Sequence, residues 1–358
     1  MGTLNLAPEL AYAADKLMSE LLVVRSGEEV LITADTATDE GVVAAVMSAA
    51  KRSGARPTVL VIPRLPLQGL LADPFVPEPV GHAAGACDAW MDLTWPYLAG
   101  STASDHALAP GRVRYALGGD LGRESFVRLF ARDDLQQVHA LCDAFAELLV
   151  PGTPCRFTND QGGDVEFRLG EADPAPMRAT QPGMFFMPGS VVLAPDESTV
   201  KGLIPLDAVF HEHYTRPRST IMLEVDGKIQ RVTGGDEDGL ILERALRRAA
   251  GGSDLGHIIH FTCGVHPGAR YTGDSFIEDS RVFGYNAIGM GRPFWAEGGG
   301  ENHPDAIMGR MSLWVEGEQV VADGLIVGPS DLVALAHEAG VAAAPAEEPS
   351  PTPRPVGA

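Results

Sequence analysis

The chain has 358 residues, 45% of them hydrophobic and 21% charged, with a formal net charge of -21 and a pI near 4.8. That length is enough for two domains, each with its own core. The acidic balance argues against nucleic-acid backbones and anionic membrane surfaces as partners, and no apolar run reaches the length of a membrane span.

Along the chain, the N-terminus lacks a basic stretch followed by an apolar one, so no signal peptide is expected. Glu28–Ala34 reads as a short buried strand. Asp39–Ser53 reads as a helix with Thr38 as its N-cap and Val42, Val43, Val46 and Ala49 as an apolar stripe. Gly54 ends that helix, and Thr58–Ile62 comes next as a second strand. This βαβ unit predicts a parallel sheet, extended by Ala89–Leu93 and Val113–Leu117. No GxGxxG follows the first strand, so a dinucleotide site is not expected. Asp134–Val150 reads as a long helix, broken at Val150-Pro151-Gly152.

Beyond that break the texture changes to hairpins. They are expected around Asp160–Asp164, around Asp226-Gly227 and around Glu316–Glu318, with helices over Gly239–Ala250 and Ser330–Ala339. The fold class expected is therefore α/β. A Rossmann-like βαβ domain spans residues 1–150, and a mixed α+β metal-binding domain rich in hairpins spans 151–340. A Pro-rich disordered tail covers 341–358. Cys87, Cys142, Cys155 and Cys263 show no CxxC spacing, so free thiols and a cytoplasmic location are expected.

Six of the ten histidines crowd between residues 211 and 303: His211, His213, His257, His260, His266 and His303. His303-Pro304-Asp305 carries the best local chemistry. With 48 acidic residues in 358, about one His-x-acid arises by chance, so the motif alone is weak. A residue before proline is pushed toward extended backbone, and residues i and i+2 of an extended segment point the same way. Imidazole and carboxylate then project together, as two neighbouring ligands must. The preceding Gly298-Gly299-Gly300 allows close backbone approach. A third ligand is left open by the residues alone, with His257, His260 and His266 nearly equal. Strand alternation would turn Ile258 and His260 to one face and Ile259 and Phe261 to the other. His211-Glu212-His213 also has same-side spacing, but a solvated or substrate-facing turn explains it as well. GxSxG, HExxH and Walker loops are missing.

Two stretches, HFTCGVHPGAR (260–270) and NHPDAIMGRMSLWVEG (302–317), resemble the ring-cleaving 2,5-dihydroxypyridine dioxygenases. GLIPLDAVF (202–210) and RSTIMLEVDGKI (218–229) fit the same pattern, and the broader aminopeptidase T metallopeptidases resemble the same stretches. The resemblance implies His260, His303 and Asp305 as a two-histidine, one-carboxylate set for Fe(II), the facial triad of non-haem oxygenases. The peptidase pattern has a glutamate ligand where Ala208 stands, a glutamate at His260 and a histidine at Asn286, so a dinuclear hydrolytic cage is not expected. The resemblance thus implies a homo-oligomeric Fe(II) dioxygenase that opens a hydroxylated aromatic or N-heterocyclic ring with O2. The alternatives are an aminopeptidase T-like metallohydrolase and a non-catalytic metal-binding relative.

The pyridine dioxygenases carry an acid/base histidine where Thr94 stands, and another in the segment matching 177–186, which holds none here. A substrate other than 2,5-dihydroxypyridine is therefore implied. Thr94 and Glu278 are the candidate catalytic groups. Glu278, Asp279 and Asn302 are candidates for orienting the histidines. Trp95, Phe185, Phe186 and Trp295 are candidate apolar walls, and Arg270, Arg216, His266 and Glu297 candidate polar contacts to the substrate.

Overall fold

The computed structural model describes residues 6–171, 178–252, 254–292 and 303–345. Trp295, Glu297, the Gly298–Gly300 run, Asn302 and the Pro-rich stretch from 346 onward lie outside the described residues.

The βαβ unit forms as its apolar spacing demands. Strand Glu29–Asp35 lies between Arg56–Ile62 and Ala89–Leu93 in a parallel sheet, and Arg114–Leu117 pairs on the far side of Ala89–Leu93. Helix Glu40–Arg52 buries Val42, Val46, Ala49 and Ala50. Its cap is Asp39, not Thr38: the Asp39 carboxylate accepts from the Gly41 N–H, while the Thr38 hydroxyl donates to the Leu93 carbonyl and ties helix entry to the next strand. Gly183–Phe186, from well beyond residue 150, adds the fifth parallel strand beside Arg114–Leu117. Helix Leu135–Glu147, from before that point, packs instead on the core of the second half. Chain order and packing thus cross twice near the expected boundary.

The second half is a pair of antiparallel sheets. An eight-stranded sheet holds all three hairpins. In the last one, Glu316 and Gly317 take positive φ (54° and 85°) between Val315 and Glu318, the two-residue geometry that suits the twist of a hairpin. A six-stranded sheet runs in the order Tyr214–Thr215, Ala208–Phe210, Asp305–Met308, Asn286–Gly291, His257–Gly264 and Ser190–Leu193. One face of it, bearing Ile258, Phe261, Ile288, Met290, Ala306 and Met308, closes a common core with the eight-stranded sheet. Phe167 stacks on Phe261 across that core, ring centroids 4.7 Å apart. The opposite face, bearing Ala208, Phe210, Ala287 and Ile307, shares a core with the parallel-sheet half.

The first residues of the expected tail are packed, since Ala343 bridges to Ile326 and the Ala344 N–H donates to the Ile326 carbonyl. All four cysteines are free and buried. No helix among the described residues is long and apolar enough to cross a membrane.

Candidate metal centre

Three neighbouring strands build the site. In the six-stranded sheet, Gly289 stands directly opposite His260 on one side and opposite Asp305 on the other. His260, Gly289 and Asp305 therefore form a row across the sheet with a gap where the middle side chain would be. His303 joins them from two residues before Asp305, as the extended backbone at Pro304 requires. The Pro304 carbonyl accepts from the Met290 N–H and keeps that segment in register.

A β-bulge aims His260 into this row. Ile258 pairs with Met290 and His260 with Gly289, which leaves Ile259 as an extra residue. Simple alternation would place Ile259 with Phe261. Instead Ile258 and Phe261 both face the sandwich core, while Ile259, His260 and Thr262 line a cavity on the other face. The expected facing of the strand is corrected by one inserted residue.

The ligand atoms converge. His260 Nε2 lies 3.1 Å from His303 Nε2 and 3.4 Å from Asp305 Oδ1, and His303 Nε2 lies 3.6 Å from Asp305 Oδ1. The two contacts to the carboxylate are too long for strong hydrogen bonds. They suit a shared cation: donors held about 2.1 Å from an ion stand about 3.0 Å apart at right angles and about 3.4 Å apart in a tetrahedron. A Cβ added at Gly289 would fall 2.3 Å from His260 Nε2 and 2.9 Å from His303 Nε2, so the missing side chain leaves the space where an ion would sit. Among the described residues this is the one group of three such side chains close enough to hold a metal. Burial pushes the His303 imidazole down to about 4, against the pull of Asp305. At neutral pH the ring is neutral and has a lone pair to offer. The next row along the sheet, Ala208, Ile307 and Ala287, is wholly apolar and supplies no ligands for a second ion.

The triad lines a cavity of about 260 Å³. Its apolar wall comes largely from the carboxyl ends of parallel strands and the segments after them, Leu117, Met184, Phe185 and Phe186, with Ile259, Phe276 and Ile277 opposite. Open α/β sheets bind ligands at that end of their strands. Two other depressions, of about 430 and 740 Å³, hold no such ligand group; Arg216 lines the first and stacks over Tyr271 there.

The remaining expected residues divide sharply. Phe185 lines the cavity, and Trp295 lies outside the described residues. Thr94 does not reach the cavity. It is fully buried, and its hydroxyl donates to Asp92 Oδ1 at 2.7 Å, held in a cluster with the Thr33 and Tyr115 hydroxyls. Trp95 is a core residue stacked on Phe210 (centroids 4.3 Å apart), behind the wall rather than on it.

Glu278, fully buried, is the counter-ion of Arg128, with both oxygens bound at 2.6 and 2.8 Å, and it also accepts the Arg270 N–H. The Arg270 side chain is exposed, away from the cavity. Asp279 accepts from the Tyr214 hydroxyl and the Thr272 and Gly273 N–H groups, so it braces a loop rather than a histidine. Of the other histidines, His211 accepts the Glu212 N–H at Nδ1 while Glu212 pairs with Arg248, and His257 bonds the Gly227 carbonyl.

His266 is a core histidine: Nε2 donates to the Leu129 carbonyl at 2.9 Å, and Nδ1 accepts from the Gly268 N–H. Burial holds it down to about 4. The folded state thus refuses a proton that the unfolded chain accepts from about pH 6.5 downward, and the stability it contributes is lost as pH falls from about 6.5 to 4. Histidine NMR should show His266 untitrated between pH 8 and 5; a midpoint near 6.5 would contradict this placement.

Three residues of the site carry no local sequence signal: Gly289, whose meaning depends on lateral register, and the cavity residues Tyr97 and Arg281. Tyr97 follows Trp95-Pro96 past the end of a parallel strand, and its hydroxyl has no hydrogen-bond partner among the described residues.

Known proteins share this architecture. The model of the family NicX, 2,5-dihydroxypyridine 5,6-dioxygenase, matches residues 15–328. The chain belongs to that family. A solved 2,5-dihydroxypyridine dioxygenase from Pseudomonas putida KT2440 is similar in fold, with a TM-score of 0.70 at 20% identity over 90% of this chain and 98% of that one. Wild-type AmpT from Thermus thermophilus is similar with a TM-score of 0.61 at 14% identity, over 89% and 99% of the two chains. No curated protein sequence matches significantly. In this member of the 2,5-dihydroxypyridine 5,6-dioxygenase family, Thr94 is turned into a buried network and Tyr97 lines the cavity.

Proposed function

We propose that the chain is a mononuclear Fe(II) dioxygenase that opens a hydroxylated aromatic or N-heteroaromatic ring with O2, its iron held by His260, His303 and Asp305. The observation that carries this reading is the convergence of two imidazoles and one carboxylate over Gly289, on the wall of a largely apolar cavity, in a chain of this family. Two nitrogen donors and one oxygen donor, all from one side, suit non-haem Fe(II). When bound, Fe(II) supplies open coordination positions and a path for electrons from an electron-rich ring to O2.

The chain's own residues do the rest. Phe185, Met184 and Ile277 flank the ring and exclude water. Asp305 contributes one negative charge to the ligand set, and neutral His303 needs no proton displaced before it can coordinate. Tyr97 presents its hydroxyl to the ring's polar substituents. The apolar row of Ala208, Ile307 and Ala287 speaks for one metal and against a two-metal hydrolase. The family resemblance extends the proposal to a homo-oligomer in the cytoplasm.

Protein loaded anaerobically with Fe(II) should consume O2 with at least one of a panel of hydroxypyridines, aminophenols, catechols and hydroxybenzoates. His303→Ala should lose that uptake by at least about 100-fold, since a ligand is removed outright. No uptake with any ring, alongside zinc-dependent peptide cleavage, would overturn the reading.

A further inference from the structure

The cavity holds one fixed positive charge that the metal ligands do not use. Arg281 is buried (4% exposed) and lines the cavity beside Ser280 and Ile277. Its Nε and Nη2 both donate to the Met187 carbonyl, at 3.2 and 3.1 Å. Nη1 donates to the Ile277 carbonyl at 2.8 Å and to the Ser280 hydroxyl at 2.6 Å. A guanidinium has five N–H groups, so one Nη2 N–H is left over. No carboxylate lies within ion-pair distance of it among the described residues. Asp120 acts on it through space only, since the Asp120 oxygens are taken by the Ser275 hydroxyl and the Phe276 and Ile277 N–H groups. Burial lowers Arg281 to about 10, which leaves it charged at neutral pH.

A buried charge satisfied by neutral acceptors alone is costly, and arginine is well shaped to bind a carboxylate. Arg281 could have been a purely structural brace between Met187 and Ile277. The leftover N–H, the lack of a counter-ion among the described residues and the position on the cavity wall favour a ligand. Tyr97 lines the same cavity as the triad and Arg281. A cavity of about 260 Å³ suits a single substituted ring.

We propose that the cavity takes a ring bearing a carboxylate besides its hydroxyl group, with Arg281 binding the carboxylate and the hydroxylated edge turned toward His260, His303 and Asp305. This rests on the proposed dioxygenase reading and narrows its substrate class. The carboxylate supplies the counter-ion that Arg281 does not find among the described residues.

The test is anaerobic titration of the Fe(II)-loaded protein with 4-hydroxybenzoate and with phenol. In the former the carboxylate lies across the ring from the hydroxyl and cannot chelate a metal together with it. 4-Hydroxybenzoate should bind at least about tenfold more tightly than phenol, the scale of one charge-assisted contact. Arg281→Met should bring the ratio to about one, and Arg281→Lys should keep part of it. Equal or weaker binding of the carboxylate by the wild-type protein would overturn the proposal, whether or not the variants fold. Oxygen uptake separates the two ideas. Uptake with uncharged phenols and no carboxylate preference sinks this inference alone. A carboxylate preference with no uptake on any ring sinks the dioxygenase reading and leaves the anion site standing.

Discussion

Gly289→Ala should strip the site of its metal and leave the fold in place. The backbone at Gly289 does not need positive φ, so alanine is tolerated there conformationally. The new methyl group would lie 2.3 Å from His260 Nε2, 2.5 Å from His260 Cδ2 and 2.9 Å from His303 Nε2. A methyl carbon does not tolerate such separations from ring atoms, and the part free to move is the end of the His260 side chain. The ring should swing away, and the three donors should no longer meet at one point. Loss of a ligand exceeds the about 10–100-fold that misorienting one costs, so metal affinity should fall by at least about 100-fold. Metal content after dialysis and the melting temperature, measured together, check this. Full metal occupancy in a folded Gly289→Ala protein would mean that the ion, if any, sits elsewhere.

Arg128→Ala should cause a large loss of stability with little direct effect on the site. Glu278 is fully buried and bound by both nitrogens of the Arg128 fork, whose own side chain is 13% exposed. Removing the arginine strands a charge in the interior, which costs about 3–5 kcal/mol. Glu278→Gln should cost less, because the amide oxygen can still accept from the guanidinium and Arg128 keeps Glu124 as a nearby, exposed counter-charge. Both variants should keep their metal. Urea midpoints together with metal content distinguish this role from a catalytic one: a Glu278→Gln protein of wild-type stability that has lost its oxygen uptake would restore Glu278 as a reacting group.

The parts of the fold that were legible in the sequence are those with local causes. The βαβ unit follows from one apolar stripe and a glycine stop. The hairpin at Asp226-Gly227 follows from a residue pair that tolerates a tight turn, and Gly227 takes φ 68° there. His303 and Asp305 were legible because Pro304 constrains the backbone between them. His260 required the family resemblance, since a bulge at Ile259 breaks the alternation from which its facing would be read. Thr94, Glu278 and His266 looked chemical because of residue type, yet each spends its polar atoms on a neighbour distant in sequence or on its own turn. Tyr97, Gly289 and Arg281 are the converse. Their importance comes from which strands lie side by side and from where a cavity opens, and neither is written in a local pattern.

The most direct test of a single iron at His260, His303 and Asp305 is the metal content of freshly purified protein, measured for the wild type and for His303→Ala. About one iron per chain in the wild type, lost in the variant, is the expected result. Two zinc ions per chain, or metal content unchanged by His303→Ala, would contradict it.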